Sequence, residues 1–270
     1  MGLVLSKLSG AKGYLNYGRG FDSDAVTFLT ATGITNIVQQ KAINELVIDL
    51  KGYGIWTKQK ALYPVVGGTS ARHAVNLRTP GTYNLSFTAG WVHSNTGMTP
   101  NGTSDYANTF VNPRIVTPTT NHLSFYSRTN NTSNIQVEIG IYDFDISTNY
   151  INHIRPAVNY VAGSSSTFTT YTTTNNSLGF WIGTKRGNSD REVYLNGSSQ
   201  TTLTTTDAGL MPNANLYIGA RNEPSSTPNI NYFSVKQCAF ASIGDGLTDT
   251  EAANFYTAVQ KFQTTLGRQV

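Results

Sequence analysis

The strongest constraint on this chain is the texture of residues 65 to 246, where short runs of β-branched and aromatic residues alternate with clusters of Gly, Asn, Pro and Ser. LSFTAGWV (85–92), HLSFYSR (122–128), IQVEIGIYDF (135–144), TFTTYTT (167–173), LGFWIGTKR (178–186), REVYLNG (191–197), NLYIGAR (215–221) and YFSVKQCAFASIG (232–244) each read as a strand. Their number and close spacing predict an antiparallel sandwich or jelly roll. Within REVYLNGSSQTTL, Asn196-Gly197 between two β runs predicts a tight hairpin. Only 13% of residues are charged, against about 25% in an average domain, and the Thr- and Asn-rich remainder favours strands and turns over helices. A length of 270 residues accommodates one large β domain with a small attachment.

Helical signals are confined to the two ends. Asp22 or Ser23 can cap a helix over 24–32 that stops at Gly33, and Thr35 can cap a second that stops at Gly52. In the second, Val38, Ala42, Ile43, Leu46, Val47 and Leu50 form one apolar stripe. A third short helix is expected over 55–62. At the other end Thr248 and Glu251 match a capping box, and Ala252, Phe255, Val259, Phe262 and Leu266 follow at helical spacing. Residues 1–21 interleave Gly10, Gly13, Gly18 and Gly20 with Tyr14, Leu15, Tyr17 and Phe21 and keep no period, which reads as an extended arm. The expected organisation is an arm (1–21), a helical attachment segment (22–64) and a β domain (65–270) that carries an amphipathic helix at 248–266.

The formal net charge of +4 lies wholly in the first part of the chain: residues 1–80 carry +5 and the remainder −1. The basic residues are scattered without runs or aromatic alternation, so nucleic-acid binding is not expected. The longest apolar run near the N-terminus is three residues, and no stretch approaches the ~18 apolar residues of a membrane span. Cys238 stands alone, which rules out an intramolecular disulfide and any cysteine-rich zinc site.

No catalytic residue, metal site or cofactor is expected from the residue pattern. Glu138, Gly140 and Asp143 come nearest to the carboxylate row of a β-glucanase strand, but the middle position is glycine and Glu138 and Asp143 fall on opposite faces. His73, His93, His122 and His153 show no metal-ligand spacing. Asp143 with Asp145, or Asp245 with Asp249, could lend oxygens to calcium, but no calcium-loop pattern surrounds them. Trp91, Tyr106, Tyr126, Tyr142 and Trp181 are candidates for stacking on a sugar, with Trp91, Tyr126 and Trp181 foremost; aromatics equally fill sandwich cores. The arm and helices are the expected assembly anchor. Tyr14, Tyr17 and Phe21 would insert into a neighbouring subunit, Arg19 with Lys7 and Lys12 would meet its acidic surface, and the Leu46 and Leu50 stripe would pair copies into a dimer or trimer.

Two sets of blocks carry a family resemblance. The order of the VYLNG hairpin, LYIGAR, a strand ending in ASIGDGLTD and a capped helix resembles the closing half of concanavalin A-like, laminin G-type jelly rolls. GYGIWTKQKALYPVVGGT (52–69), PNGTSDYANTF (100–110), LSFYSRTNN (123–131) and FASIGDGLTDTEAANFYTAVQKFQTTLGR (240–268) resemble a group of bacteriophage structural proteins. That resemblance implies a non-enzymatic virion protein made in the host cytoplasm, of head-fibre, capsid-decoration or tail-fibre type, whose partners are other virion proteins. The alternative is a lectin-like module that attaches to a host-surface glycan.

Overall fold

The computed structural model describes residues 20–131, 136–143, 148–153, 159–165, 170–171, 176–204, 206, 210–227 and 229–270, with backbone alone over 148–171. Of the arm residues expected to anchor assembly, Tyr14, Tyr17 and Arg19 lie outside the described residues. The chain enters through helix α1 (Ser23–Thr32), whose Asp22 cap accepts from the Asp24 N–H at 2.9 Å and whose end is set by Gly33 at φ 61°. Helix α2 (Ile37–Gly52) is capped by Asn36 rather than Thr35, because the Asn36 carboxamide accepts from both the Val38 and Gln39 N–H groups.

Where a third helix was expected over 55–62, a single 3-10 turn at Trp56–Lys58 leads into strand β1 (Gln59–Tyr63). Ladder bonds to the last strand and burial of Ala61, Leu62 and Tyr63 outweigh the local helical preference. After a one-turn helix α3 (Ser70–His73), the chain runs through β2 (Ser86–Phe87), β3 (Val92–Ser94), β4 (Gly97–Thr99), β5 (Ala107–Asn108), β6 (Asn121–Ser127), β7 (Ile139–Asp143), β8 (Thr148–His153), β9 (Asn159–Ser165) and β10 (Thr170–Tyr171). It continues through β11 (Gly179–Gly187), β12 (Asp190–Leu195), β13 (Ser198–Leu203), β14 (Tyr217–Ile218), β15 (Arg221–Asn222), β16 (Ile230–Asn231) and β17 (Cys238–Gly244) to helix α4 (Asp249–Thr265). The expected capping box opens α4, with Thr248 and Glu251 each bonding the other's backbone.

The strands form two largely antiparallel sheets packed as a sandwich, with short helices added to it. In the first sheet the order is β13-β12-β11-β6-β17-β4-β3, with β1 also paired to β17; in the second it is β10-β9-β8-β7-β14-β5-β2, with β15 and β16 appended to β7. The predicted Asn196-Gly197 turn joins β12 to β13, with both residues at positive φ (50° and 75°).

Three layers result. Leu123, Phe125, Trp181, Val193, Ala241 and Ile243 of the first sheet meet Ala107, Ile139, Ile141 and Ile218 of the second in one core. The alternate residues of the first sheet, Tyr126, Phe180, Ile182, Tyr194 and Phe240, point the other way into a second core. That core is closed by Phe28 and Leu29 of α1, Ile43, Leu46, Val47 and Leu50 of α2, and Phe255, Val259 and Phe262 of α4. Leu46 and Leu50, expected to pair copies, are therefore 1% and 0% exposed and used within the chain. Phe21 likewise packs partly buried against the helical core instead of reaching outward. The segment 22–64 caps the sandwich and lends it a strand. Among the described residues no helix is long and apolar enough to cross a membrane.

Arg268, just past α4, ties these layers together. It is 1% exposed and donates to the carbonyls of Pro64, Val65, Asn95 and Ala239 and to Gln263 Oε1, at 2.6 to 3.3 Å.

Candidate functional site

Helices cover the outer face of the first sheet, and the outer face of the second is where polar and aromatic side chains gather. Alternation places them there: Ile139, Ile141 and Ile218 point inward, so Gly140, Tyr142 and Tyr217 point outward. Tyr217 stands in register between Gly140 and Asn108. Its ring stacks on that of Tyr106, with centroids 4.5 Å apart and planes 18° from parallel. Burial, with the neighbouring Tyr106 hydroxyl, raises the Tyr217 phenol above its ordinary value, so it stays a neutral hydrogen-bonding group.

Next to this pair the chain reverses at Gly219 (φ 87°), where a Cβ would come within 2.8 Å of the Trp91 ring. The reversal returns β15 parallel to β7 and brings Arg221 alongside Gly140. The Arg221 guanidinium lies over two rings, 4.2 Å from the Tyr232 centroid and 5.1 Å from that of Tyr142. Glu223 pairs with Arg221 and accepts from Asn231 Nδ2 at 2.7 Å and Ser226 Oγ at 3.0 Å. Tyr232 itself sits at φ 57° and is 38% exposed; a bulky residue in that conformation costs ~1–3 kcal/mol and is held only where its surroundings over-determine it. The face therefore offers flat aromatic surfaces beside a guanidinium and the amides of Asn108 and Asn231, with the Arg221 guanidinium held by the buried carboxylate of Glu223. This is the combination that satisfies the apolar and hydroxyl faces of a sugar.

The structure divides the five aromatic candidates from the sequence. Tyr106 and Tyr142 lie on this face. Trp91 (8% exposed), Tyr126 (0%) and Trp181 (0%) do not and are corrected to core residues. Trp91 and Trp181 fill the space between the sheets. Tyr126 lies under the helices, its hydroxyl donating to Gln260 Oε1 and accepting from the Val270 N–H. Tyr217 was within reach of sequence reasoning, since it alternates with Leu216 and Ile218 in NLYIGAR. Arg221 and Tyr232 were not, because a bend and a positive-φ residue bring them in.

The remaining candidates separate. Glu138 is fully buried and ion-paired with Lys236. Asp245 pairs with Lys60, and Asp249 with Arg186 and Tyr194; Asp145 and the His153 side chain lie outside the described residues. His73 and His93 meet through their Nδ1 atoms at 2.9 Å, and burial pushes His73 down to about 3. Among the described residues no three His, Cys, Asp or Glu side chains converge as a metal site.

No protein-family model and no curated protein matches the chain. Solved structures do share its fold. Domain 4 of AbnA, a GH43 extracellular arabinanase from Geobacillus stearothermophilus solved with arabinotriose, is 13% identical over 73% of this chain and 98% of that one, with a TM-score of 0.50. A structure of botulinum neurotoxin type C, a toxin whose cell entry is described as dependent on two ganglioside molecules, is 11% identical over 77% of this chain, with a TM-score of 0.55. The chain spans about half of the toxin chain's length, 52%. At these identities the likeness is one of fold, a β-sandwich.

Proposed function

We propose that this chain is a glycan-binding β-sandwich without a catalytic step of its own, and that its binding surface is the outer face of the second sheet. The observation that carries the reading is the Tyr106–Tyr217 stack beside the Tyr142–Arg221–Tyr232 cluster, five aromatic or guanidinium planes on one sheet face. Two sandwiches of the same fold are described with an arabinotriose and with gangliosides, which supports a saccharide as the ligand class. Glycan-array binding of the full chain tests this: a defined set of glycans should be retained by the wild type and lost by Tyr217→Ala and by Arg221→Met. An empty array, or variants that bind like the wild type, would overturn it.

The sequence supports a location as well. The blocks at 52–69, 100–110, 123–131 and 240–268 resemble phage structural proteins, so we place the module on a virion appendage, where it would hold other virion proteins and face the host surface. Mass spectrometry of purified virions should find the chain at stoichiometric level, and its absence would remove that location while leaving the glycan reading intact.

A further inference from the structure

Beneath the Tyr232 segment lies a charged cluster that the binding face does not use. Lys236 and Glu138 have fully buried side chains and pair at 2.9 Å. Gln136, 3% exposed, places its Oε1 3.1 Å from the same Lys236 Nζ. That carbonyl also accepts from the Val235 N–H at 3.2 Å, and Ser234 Oγ donates to Glu138 Oε1 at 3.2 Å. A buried ion pair is costly to desolvate and is often no more stable than a neutral replacement. Here an amine, a polarised amide and a carboxylate that touches the amine are held together out of water.

We propose that this is a modification site, at which Lys236 and Gln136 become joined by an intramolecular amide bond with Glu138 as proton carrier. The ammonium passes one proton to the Glu138 carboxylate, and the neutral Nζ attacks Gln136 Cδ, whose oxygen takes up negative charge facing the Val235 N–H. Glu138 hands its proton to the departing amide nitrogen and takes a second from Nζ as the carbonyl re-forms. The Cδ–Nε2 bond breaks, the Cδ–Nζ bond forms, ammonia leaves, and Glu138 ends as a neutral carboxyl able to donate to the new amide. Nothing is oxidised or reduced. Enclosure supplies the effective concentration that a bimolecular reaction between an amine and an amide lacks. The link would fasten the segment that carries Tyr232 to the start of β7, already joined there by the Val137 N–H to Tyr232 carbonyl bond of 2.8 Å. It does not depend on the glycan reading.

The test is peptide-level mass spectrometry of the purified full chain after denaturation and digestion. A branched peptide joining Lys236 to Gln136, lighter by one ammonia than its two parts, is the expected result, together with failure of trypsin to cut after Lys236. Glu138→Gln should restore separate peptides with the lysine cleavable. Recovery of unlinked Gln136 and Lys236 peptides from aged wild-type protein would overturn the proposal whether or not the variant folds. A link that still forms in folded Glu138→Gln would overturn the role given to Glu138.

Discussion

Both sheets face the same inter-sheet core, yet β6, β11 and β17 of the first are buried on both faces, whereas β7 and β14 of the second alternate buried isoleucine with half-buried tyrosine. The difference comes from what lies outside each sheet. Three helices close the outer face of the first, so its outward aromatics, Tyr126, Phe180 and Phe240, are core residues. Beside the outward residues of β7 and β14 run the appended strands β15 and β16 and the segment at 232–234, and there aromatic rings remain partly exposed. A Tyr or Phe at an outward strand position thus means packing on one side of this molecule and a partly exposed ring on the other. Each prediction below breaks or sharpens that contrast.

The largest effect should follow from removing the cover. A chain starting at Val65 loses Phe28, Leu29, Ile43, Leu46, Val47, Leu50 and Trp56 from the helical core, and β1 from the first sheet. Each such side chain is worth ~1.5–3 kcal/mol when buried, and together they rival the ~5–15 kcal/mol that holds a whole domain folded. The shortened chain should lose near-ultraviolet circular dichroism and aggregate. If it folded cooperatively, the helices would be an appendage after all.

Next comes the clamp. Arg268→Ala takes the guanidinium donor from the carbonyls of Pro64, Val65 and Asn95 and from Gln263 Oε1, while the Ala239 carbonyl keeps Gln263 Nε2; buried acceptors left unsatisfied cost ~1–3 kcal/mol each, on the order of 3–5 kcal/mol together. Urea unfolding should register a loss in that range, whereas Arg114→Ala, which removes one bond to the Met211 carbonyl, should cost ~1 kcal/mol.

These dependencies show where the sequence was legible. The strands β6, β11 and β12, the Asn196-Gly197 turn and the Thr248 cap were readable because alternation, turn chemistry and capping are local. The stripe on α2 was readable as apolar, but its partner was not, since a stripe of Leu46 and Leu50 fits a second copy or a sheet equally well. The same ambiguity misassigned Trp91, Tyr126 and Trp181: period two tells which residues share a face and leaves open what covers it. Arg221 and Tyr232 reach the candidate site through the reversal at Gly219 and a left-handed residue, tertiary features without a periodic signature.

A pH-dependent effect should follow from the covered face. His122 on β6 is fully buried, its Nδ1 2.6 Å from the Asp245 carbonyl and its Nε2 3.0 Å from Ser242 Oγ. Burial outweighs the Asp245 bond and lowers it from 6.5 to about 4. Between those values the unfolded chain binds a proton that the folded chain refuses, so stability falls as pH falls from 6.5 to 4 and the dependence then levels off. The full window amounts to about 3 kcal/mol. Urea midpoints measured across it should slope for the wild type and flatten for His122→Gln. Equal slopes would assign the acid sensitivity to other groups, His73 first among them.

The smallest effect should come from the open face, and it is the sharpest test of the contrast. Tyr217→Ala removes one ring of a half-buried stacked pair, and such a pair is worth ~0.5–1.5 kcal/mol beyond its buried area. Its neighbours Gly140 and Asn108 lose little, so unfolding should shift by about 1 kcal/mol. Phe180→Ala removes a ring that is 0% exposed and lies edge-on to Phe240 and Phe255, a change that leaves a cavity and costs ~3–5 kcal/mol. The two variants delete aromatic rings from strands of one sandwich, and a several-fold difference in their cost is the expected measurement. Were Tyr217→Ala as damaging as Phe180→Ala, the Tyr106–Tyr217 stack would be part of a core, and the surface proposed to meet a glycan would instead be holding the sandwich together.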